Sequence, residues 1–152
     1  MRTIGIAGAA LLLLGLLVAS TPATAHHRPG PCDFHRLQDE SIRAFAKRRI
    51  VCAVERFGPV PGGSKRAICI ARRESGLDPK ATSEPTGEYR GLFQHDRDMW
   101  PGRYTRYTQA VWDLSRRALS GRTNTIVTIR MVSGIGTWRA AGWPPKECRT
   151  TA

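Results

Sequence analysis

Apolar residues recur at helical spacing in two stretches of the first half of the chain. Positions three and four residues apart, from Ile42 to Phe57, predict an amphipathic helix that begins at Asp39 or Ser41 and ends at Gly58 and Pro59. A turn at residues 61–63 follows. Ser64 is then expected to cap a second helix, which ends at Gly76, because glycine favours the position just after a helix.

The first 25 residues show a different pattern, an almost unbroken apolar run from Ile4 to Val18. Arg2 precedes this run and Ala23-Thr24-Ala25 follows it, which is the pattern of a secretory signal peptide cleaved after Ala25. The run is shorter than the roughly 20 apolar residues of a spanning helix. An uncleaved N-terminal anchor is the alternative. Residues 26–36 are expected to be an irregular lead-in, and residues 37–152 to form one domain.

Basic residues outnumber acidic ones by 24 to 12, which gives a formal net charge of +12. Most of them are arginines scattered along the chain, so a solvated basic surface is the default interpretation. A polyanionic partner is expected. Outside a cell the candidates are wall polymers and anionic lipid head groups, with nucleic acid as the generic alternative.

Four cysteines in a small exported chain predict two disulfides. All three pairings are possible, and we favour Cys52–Cys69 together with Cys32–Cys148. Cys52 and Cys69 each lie five residues from the near end of their predicted helix, and such positions face each other in a helical hairpin. A zinc site containing Cys32 and His35 is the less favoured alternative.

Glu74 lies in the last turn of the second predicted helix, on the same face as Ile70 and Ala71. A half-buried carboxyl group is therefore expected. Removing a carboxyl group from water favours its protonated form, which a general acid must supply. The alternative is a surface glutamate that pairs with Arg72 or Arg73.

The stretch from Ile70 to Ala81 contains Glu74-Ser75-Gly76 and is followed by Gly91-Leu92-Phe93-Gln94. It resembles the catalytic core of soluble lytic transglycosylases and goose-type lysozymes, and is similar to resuscitation-promoting factors. The resemblance covers residues 40–145. It implies a mainly α, lysozyme-like α+β fold: a small single helical domain with a short irregular or β lobe.

This resemblance also implies roles for individual residues. Glu74 would protonate the glycosidic oxygen of peptidoglycan and then act as a base. Ser75 would orient the bond being cut, and Gly91 and Leu92 would supply backbone close to the sugar. Gln94 would hydrogen-bond the substrate or the acid.

Some positions depart from the family pattern. Phe93 stands where the family more often has methionine, and the interval from Gly87 to Gly91 is one residue longer than usual. Thr128-Ile129 is the nearest match to a later Asn-Ile pair, so no role is transferred to it. The β-branched run at 124–133 suggests a strand, but the resemblance implies a helix, which we adopt.

Aromatic side chains bind the apolar faces of sugars, and the candidates for such contacts all follow Glu74: Trp100, Tyr104, Tyr107, Trp112, Trp138 and Trp143. About half of them are expected to be core residues. Trp100 and Trp138 are predicted to line the cleft, and with Phe93 they complete the expected substrate-binding set.

The predicted mechanism depends on whether a second carboxylate assists. Most glycosidases use two. Here none of the nearby acids lies in a recognisable second-acid motif: Glu84, Glu88, Asp96 and Asp98. The resembled transglycosylases need one acid, since the 6-hydroxyl of muramic acid attacks intramolecularly. We therefore favour lytic transglycosylation. A hydrolytic muramidase, and a non-catalytic wall-binding or DNA-binding protein on this scaffold, are the alternatives.

These inferences together predict a secreted, wall-associated monomer. The expected partners are peptidoglycan glycan strands and anionic wall polymers. Nucleic acid, a stable membrane insertion after signal cleavage, a metal ion and an organic cofactor are not expected.

Overall fold

A computed structural model describes residues 29–144 and residue 148 of the chain. The predicted signal peptide, residues 1–25, lies outside these residues. Residues 29–36 form neither helix nor strand. None of the helices in the described part is both long and apolar enough to span a membrane.

The described chain is mainly helical, with one small antiparallel sheet. Its elements in chain order are α1 (Ile42–Phe57), α2 (Gly63–Ser75), β1 (Tyr89–Arg90), β2 (His95–Asp96), α3 (Trp100–Tyr107), a 3₁₀ turn (Ala110–Trp112) and α4 (Gly121–Ile135). The register pairs Tyr89 with Asp96 and Arg90 with His95. A mainly helical fold with a small β lobe is thus confirmed.

Both predicted helices of the first half are present. The Ser41 hydroxyl accepts the Ala44 N–H at 3.1 Å and so caps α1, which ends before Gly58. Gly76 ends α2 in the left-handed conformation, and its N–H donates to the Arg72 carbonyl at 2.8 Å. The predicted cap Ser64 is wrong. Gly62, at φ +77°, occupies the cap position, and Ser64 lies inside the helix.

The last helix, α4, is buried over most of its length and packs against α1 and α3. Ser120 caps it by accepting the Thr123 N–H at 3.4 Å. Its β-branched threonines are tolerated because their hydroxyls donate back along the helix, as Thr125 does to the Gly121 carbonyl at 2.7 Å. The helix expected at 124–133 is confirmed.

Two disulfides are present, but the favoured pairing is wrong. Cys32 bonds Cys52, and Cys69 bonds Cys148. The prediction assumed a close hairpin of α1 and α2, whereas α1 packs chiefly on α4. The lead-in therefore reaches α1, and the C-terminal segment reaches α2. Because Cys32 is disulfide-bonded, the alternative zinc site loses its thiolate ligand.

Candidate functional site

Glu74 lies one residue before the end of α2, with its side chain 23% exposed. Its Oε1 accepts two hydrogen bonds from Arg73, at 2.7 Å from Nη2 and 3.2 Å from Nε. A third Arg73 nitrogen, Nη1, donates to the Pro144 carbonyl at 2.9 Å. The half-buried carboxyl group and the arginine pair, considered above as alternatives, therefore occur together.

The neighbouring Ser75 connects the end of α2 to the Gly91–Gln94 loop. Its hydroxyl lies 2.8 Å from the Leu92 carbonyl oxygen and 3.0 Å from the Ala71 carbonyl oxygen. A serine hydroxyl has one hydrogen, so it donates to one of these acceptors at a time. This contact brings together the two motifs that carry the resemblance.

The Gly91–Gln94 loop is tightly packed. Gly91 has φ +80°, and a Cβ there would collide with the Ala118 carbonyl oxygen and the Asn124 amide. Gln94 also has positive φ, and its Nε2 donates to the carbonyls of Ala81 at 3.1 Å and Gly91 at 2.9 Å. The Gln94 amide nitrogen therefore holds the loop, and no hydrogen bond to its Oε1 is seen among the described residues.

Leu92 and Phe93 turn their side chains into the core, where both are fully buried. The Phe93 ring stacks on Trp138 with the centroids 6.3 Å apart. The expected contact between the Leu92 backbone and a sugar stays a prediction. The expectation that Phe93 contacts substrate through its side chain is corrected, because that side chain is a core residue.

Trp138 and Trp100 were predicted to line the cleft, yet both are buried, at 1% and 6% exposure. Their indole N–H groups donate to backbone carbonyls, of Pro61 at 2.8 Å and Arg116 at 2.7 Å. Trp138 is therefore a core residue. Trp100 lies in the wall of a cavity described below.

Asn124 of α4 is a site residue that the sequence interpretation missed. It is fully buried, and its Oδ1 accepts the Phe93 N–H at 2.9 Å. Its Nδ2 donates to the carbonyls of Ala118 at 2.9 Å and Arg90 at 3.2 Å. One amide thus holds both sides of the Gly91–Gln94 loop. The available signal was the single amide side chain in a helix rich in apolar and β-branched residues.

His95 was missed as well. It is fully buried between Arg103, whose Nη1 lies 3.0 Å from its Nδ1, and Thr128, whose hydroxyl lies 2.8 Å from its Nε2. Arginine can only donate, so Nδ1 accepts and the proton of a neutral ring is on Nε2. Burial, and secondarily the charge of Arg103, lowers the pKa of His95 to about 3.

A cavity of about 220 Å³ opens beside Gln94, with Tyr89, Asp96, Arg103 and Trp143 among its lining residues. Asp96 is one of the candidate second carboxylates. Its Oδ1 accepts the N–H groups of Asp98 at 2.8 Å and Met99 at 2.9 Å. The hydrogen bond from the Met99 N–H lowers the pKa of Asp96, which favours its ionised form.

The other three candidates are exposed. Asp98 pairs with Arg97 at 3.1 Å, while Glu84 and Glu88 lie in the loop that precedes β1. Among the described residues, no group of three or more histidine, cysteine or acidic side chains is placed to hold a metal ion.

The chain matches no protein-family profile, no curated protein and no solved structure at a significant level.

Proposed function

We propose that this chain is an exported enzyme that cleaves the β-1,4 bond between N-acetylmuramic acid and N-acetylglucosamine in peptidoglycan, with Glu74 as the catalytic acid. The observation that carries the proposal is the Ser75 contact with Leu92 at 2.8 Å. It places the Glu-Ser-Gly end of α2 against the Gly-Leu-Phe-Gln loop. These are the two motifs that resemble the lytic transglycosylases.

The proposed reaction has two proton transfers through one carboxyl group. Protonated Glu74 donates its proton to the glycosidic oxygen as the bond from that oxygen to C1 of muramic acid breaks. Glu74 then accepts the proton of the muramic acid 6-hydroxyl as O6 bonds to C1. The products are a free 4-hydroxyl on the leaving sugar and a 1,6-anhydro ring, with no water consumed.

We prefer transglycosylation to hydrolysis because the nearby carboxylates are either held by backbone hydrogen bonds or exposed. The Asp96 carboxylate accepts the backbone N–H of Met99, and Asp98 is 84% exposed beside Arg97. A hydrolase needs a carboxylate aimed at a water or at the sugar. An intramolecular nucleophile removes that requirement, since proximity replaces water activation.

The experiment is to compare Glu74→Gln with wild type on purified peptidoglycan. Glutamine keeps the size of the side chain but cannot transfer the proton, so cleavage should fall by about 10²–10⁴-fold. Glu55→Gln, at an exposed position of α1, is the matched control and should retain full activity.

Mass spectrometry of the released muropeptides then tests the reaction type. Anhydro ends are expected. Reducing ends would make the chain a hydrolytic muramidase. If Glu74→Gln cleaves at the wild-type rate, Glu74 is not the acid and another group supplies the proton. If wild type itself releases no muropeptides, a non-catalytic wall-binding role becomes the better hypothesis.

A further inference from the structure

Two cavities lie side by side, and their walls share Arg117 and Leu119. The first has a volume of about 590 Å³ and the second of about 290 Å³. Their lining residues include a set of basic side chains. Those of the first cavity are Arg36, Arg49, Lys80 and Arg117, and the second adds Arg90, Arg97 and Arg116.

Arg49 is the most unusual group in the first cavity. Its guanidinium lies over the Phe45 ring, 4.1 Å from the centroid, and its Nε is buried with no hydrogen-bond partner among the described residues. The nearby acids are taken by other arginines: Asp33 pairs with Arg122 at 3.3 Å, and Glu40 with Arg48 at 2.7 Å. Arg49 therefore brings a largely uncompensated positive charge to the cavity wall.

Lys80 and Arg117 add two exposed cations to the same cavity, and neither forms an ion pair within the described part of the chain. Among the described residues of its wall, the only carboxylate is that of Asp78, whose Oδ1 accepts the backbone N–H of Lys80 at 2.8 Å. Gly121, the first residue of α4, also lines the cavity. The positive end of that helix dipole adds to the attraction for anions.

In the part of the chain that the structure describes, no carboxylate lines the second cavity. Arg90 lies at its wall with Nε donating to the Gly87 carbonyl at 3.0 Å, so this side chain has a defined position. Arg116 and Arg97 are exposed, and Arg97 has Asp98 at 3.1 Å on the solvent side. Because Arg117 lines both cavities, the positive charge continues from one to the other.

We propose that the two cavities form a single groove that binds an anionic polymer of phosphodiester-linked polyols. Guanidinium groups bind phosphate oxygens through two parallel hydrogen bonds, and successive phosphates would meet the arginines of successive cavities. The carbon chain of the polyol would lie on the apolar walls, which include Ile42, Pro79 and Leu119.

The aromatic side chains favour such a polymer over a nucleic acid. Single-stranded nucleic acids bind by stacking their bases on open aromatic rings. In this groove the Arg49 guanidinium lies over the Phe45 ring, and Trp100 is 6% exposed. A polymer without bases needs no stacking surface. This binding role is distinct from the proposed cleavage of peptidoglycan. The groove contains neither Glu74 nor Gln94, and its ligand is an unbranched phosphate chain.

The test is the binding of soluble poly(glycerol phosphate) to the exported chain at physiological salt, measured by fluorescence anisotropy. The double variant Lys80→Ala/Arg117→Ala should bind about tenfold more weakly and show a smaller dependence of affinity on salt. The matched control, Lys65→Ala/Arg139→Ala, removes one lysine and one arginine at exposed positions outside the groove and should bind within twofold of wild type.

A second variant, Arg97→Ala/Arg116→Ala, tests the other cavity and should show a similar loss. If the Lys65→Ala/Arg139→Ala control lost the same affinity, the polymer would be attracted by the net charge of the whole surface, and the proposed groove would be wrong. Tighter binding of single-stranded DNA with the same number of phosphates, lost in the same variants, would make it a nucleic-acid site and also overturn the proposal. Cleavage of polymer-free peptidoglycan should be unchanged in all three variants, so the result is independent of the proposed enzyme activity.

Discussion

Arg73 holds the Glu74 carboxyl group by two hydrogen bonds to one oxygen, Oε1, at 2.7 and 3.2 Å. Arg73 is itself fixed, because its Nη1 donates to the Pro144 carbonyl at 2.9 Å. Both Arg73 bonds go to the same carboxyl oxygen, so the arginine holds the side chain through one of its two oxygens. Within the proposed enzyme, Arg73 is therefore a positioning residue for the acid.

Replacing Arg73 by alanine frees the Glu74 side chain to rotate. We expect kcat on soluble glycan strands to fall by roughly 10- to 100-fold, since a misplaced catalytic group loses most of its effect, while KM changes little. Arg72→Ala is the matched control, because Arg72 is an exposed neighbour on the same helix. Equal activity of the two variants would show that the ion pair does not position the acid.

The side-chain amide of Asn124 forms hydrogen bonds with three backbone groups, the Phe93 N–H and the carbonyls of Arg90 and Ala118. Asn124→Ala should lower the free energy of unfolding by about 2–4 kcal/mol, because it leaves all three without this partner. Thr125→Ala, which removes one bond to the Gly121 carbonyl, should cost about 1 kcal/mol. Denaturant unfolding measures both, and equal losses would argue against Asn124 as the support of the loop.

The two disulfides close loops of very different length, with sequence separations of 20 for Cys32–Cys52 and 79 for Cys69–Cys148. In the chain-entropy account they contribute about 3 and about 4.5 kcal/mol. Cys69→Ala/Cys148→Ala should therefore destabilise the fold by about 1 kcal/mol more than Cys32→Ala/Cys52→Ala. Non-reducing peptide mapping should first recover these pairs, and a peptide joining Cys52 to Cys69 would contradict them.

Features set by neighbouring residues were predictable from the sequence. Both ends of α1 and the C-terminal end of α2 depend on Ser41, Gly58 and Gly76, whose effects reach only a few residues along the chain. The partial burial of Glu74 followed from its helical spacing to Ile70 and Ala71. These are local properties, so a pattern of residue types was enough to find them.

Features set by distant contacts were not predictable in this way. The disulfide pairing depends on how the lead-in and the C-terminal segment fold back, and Asn124 meets Phe93 across 31 residues of sequence. The same holds for Trp138, whose partner Pro61 is 77 residues away. The sequence alone does not distinguish an aromatic residue that lines a cleft from one that packs in the core.

His95 makes the stability of the fold depend on pH. Its neutral ring accepts from Arg103 and lies within 2.8 Å of the Thr128 hydroxyl, and burial lowers the pKa of His95 to about 3 from an ordinary 6.5. Between these values the unfolded chain binds a proton that the folded chain does not. Its contribution to stability is therefore complete above about pH 6.5 and is lost as the pH falls towards 3.

We expect this histidine to make the free energy of unfolding fall with a slope of up to about 1.4 kcal/mol per pH unit below pH 6. Other groups titrate there too, so the measurement is the difference between wild type and His95→Gln, followed by denaturant unfolding from pH 7 to pH 4. Glutamine keeps a polar side chain but does not titrate, so the slope should flatten in this variant. His35→Gln, at an exposed position, should keep the wild-type slope. If the free energies of unfolding of wild type and His95→Gln changed with pH in parallel, His95 would not contribute to the pH dependence of stability.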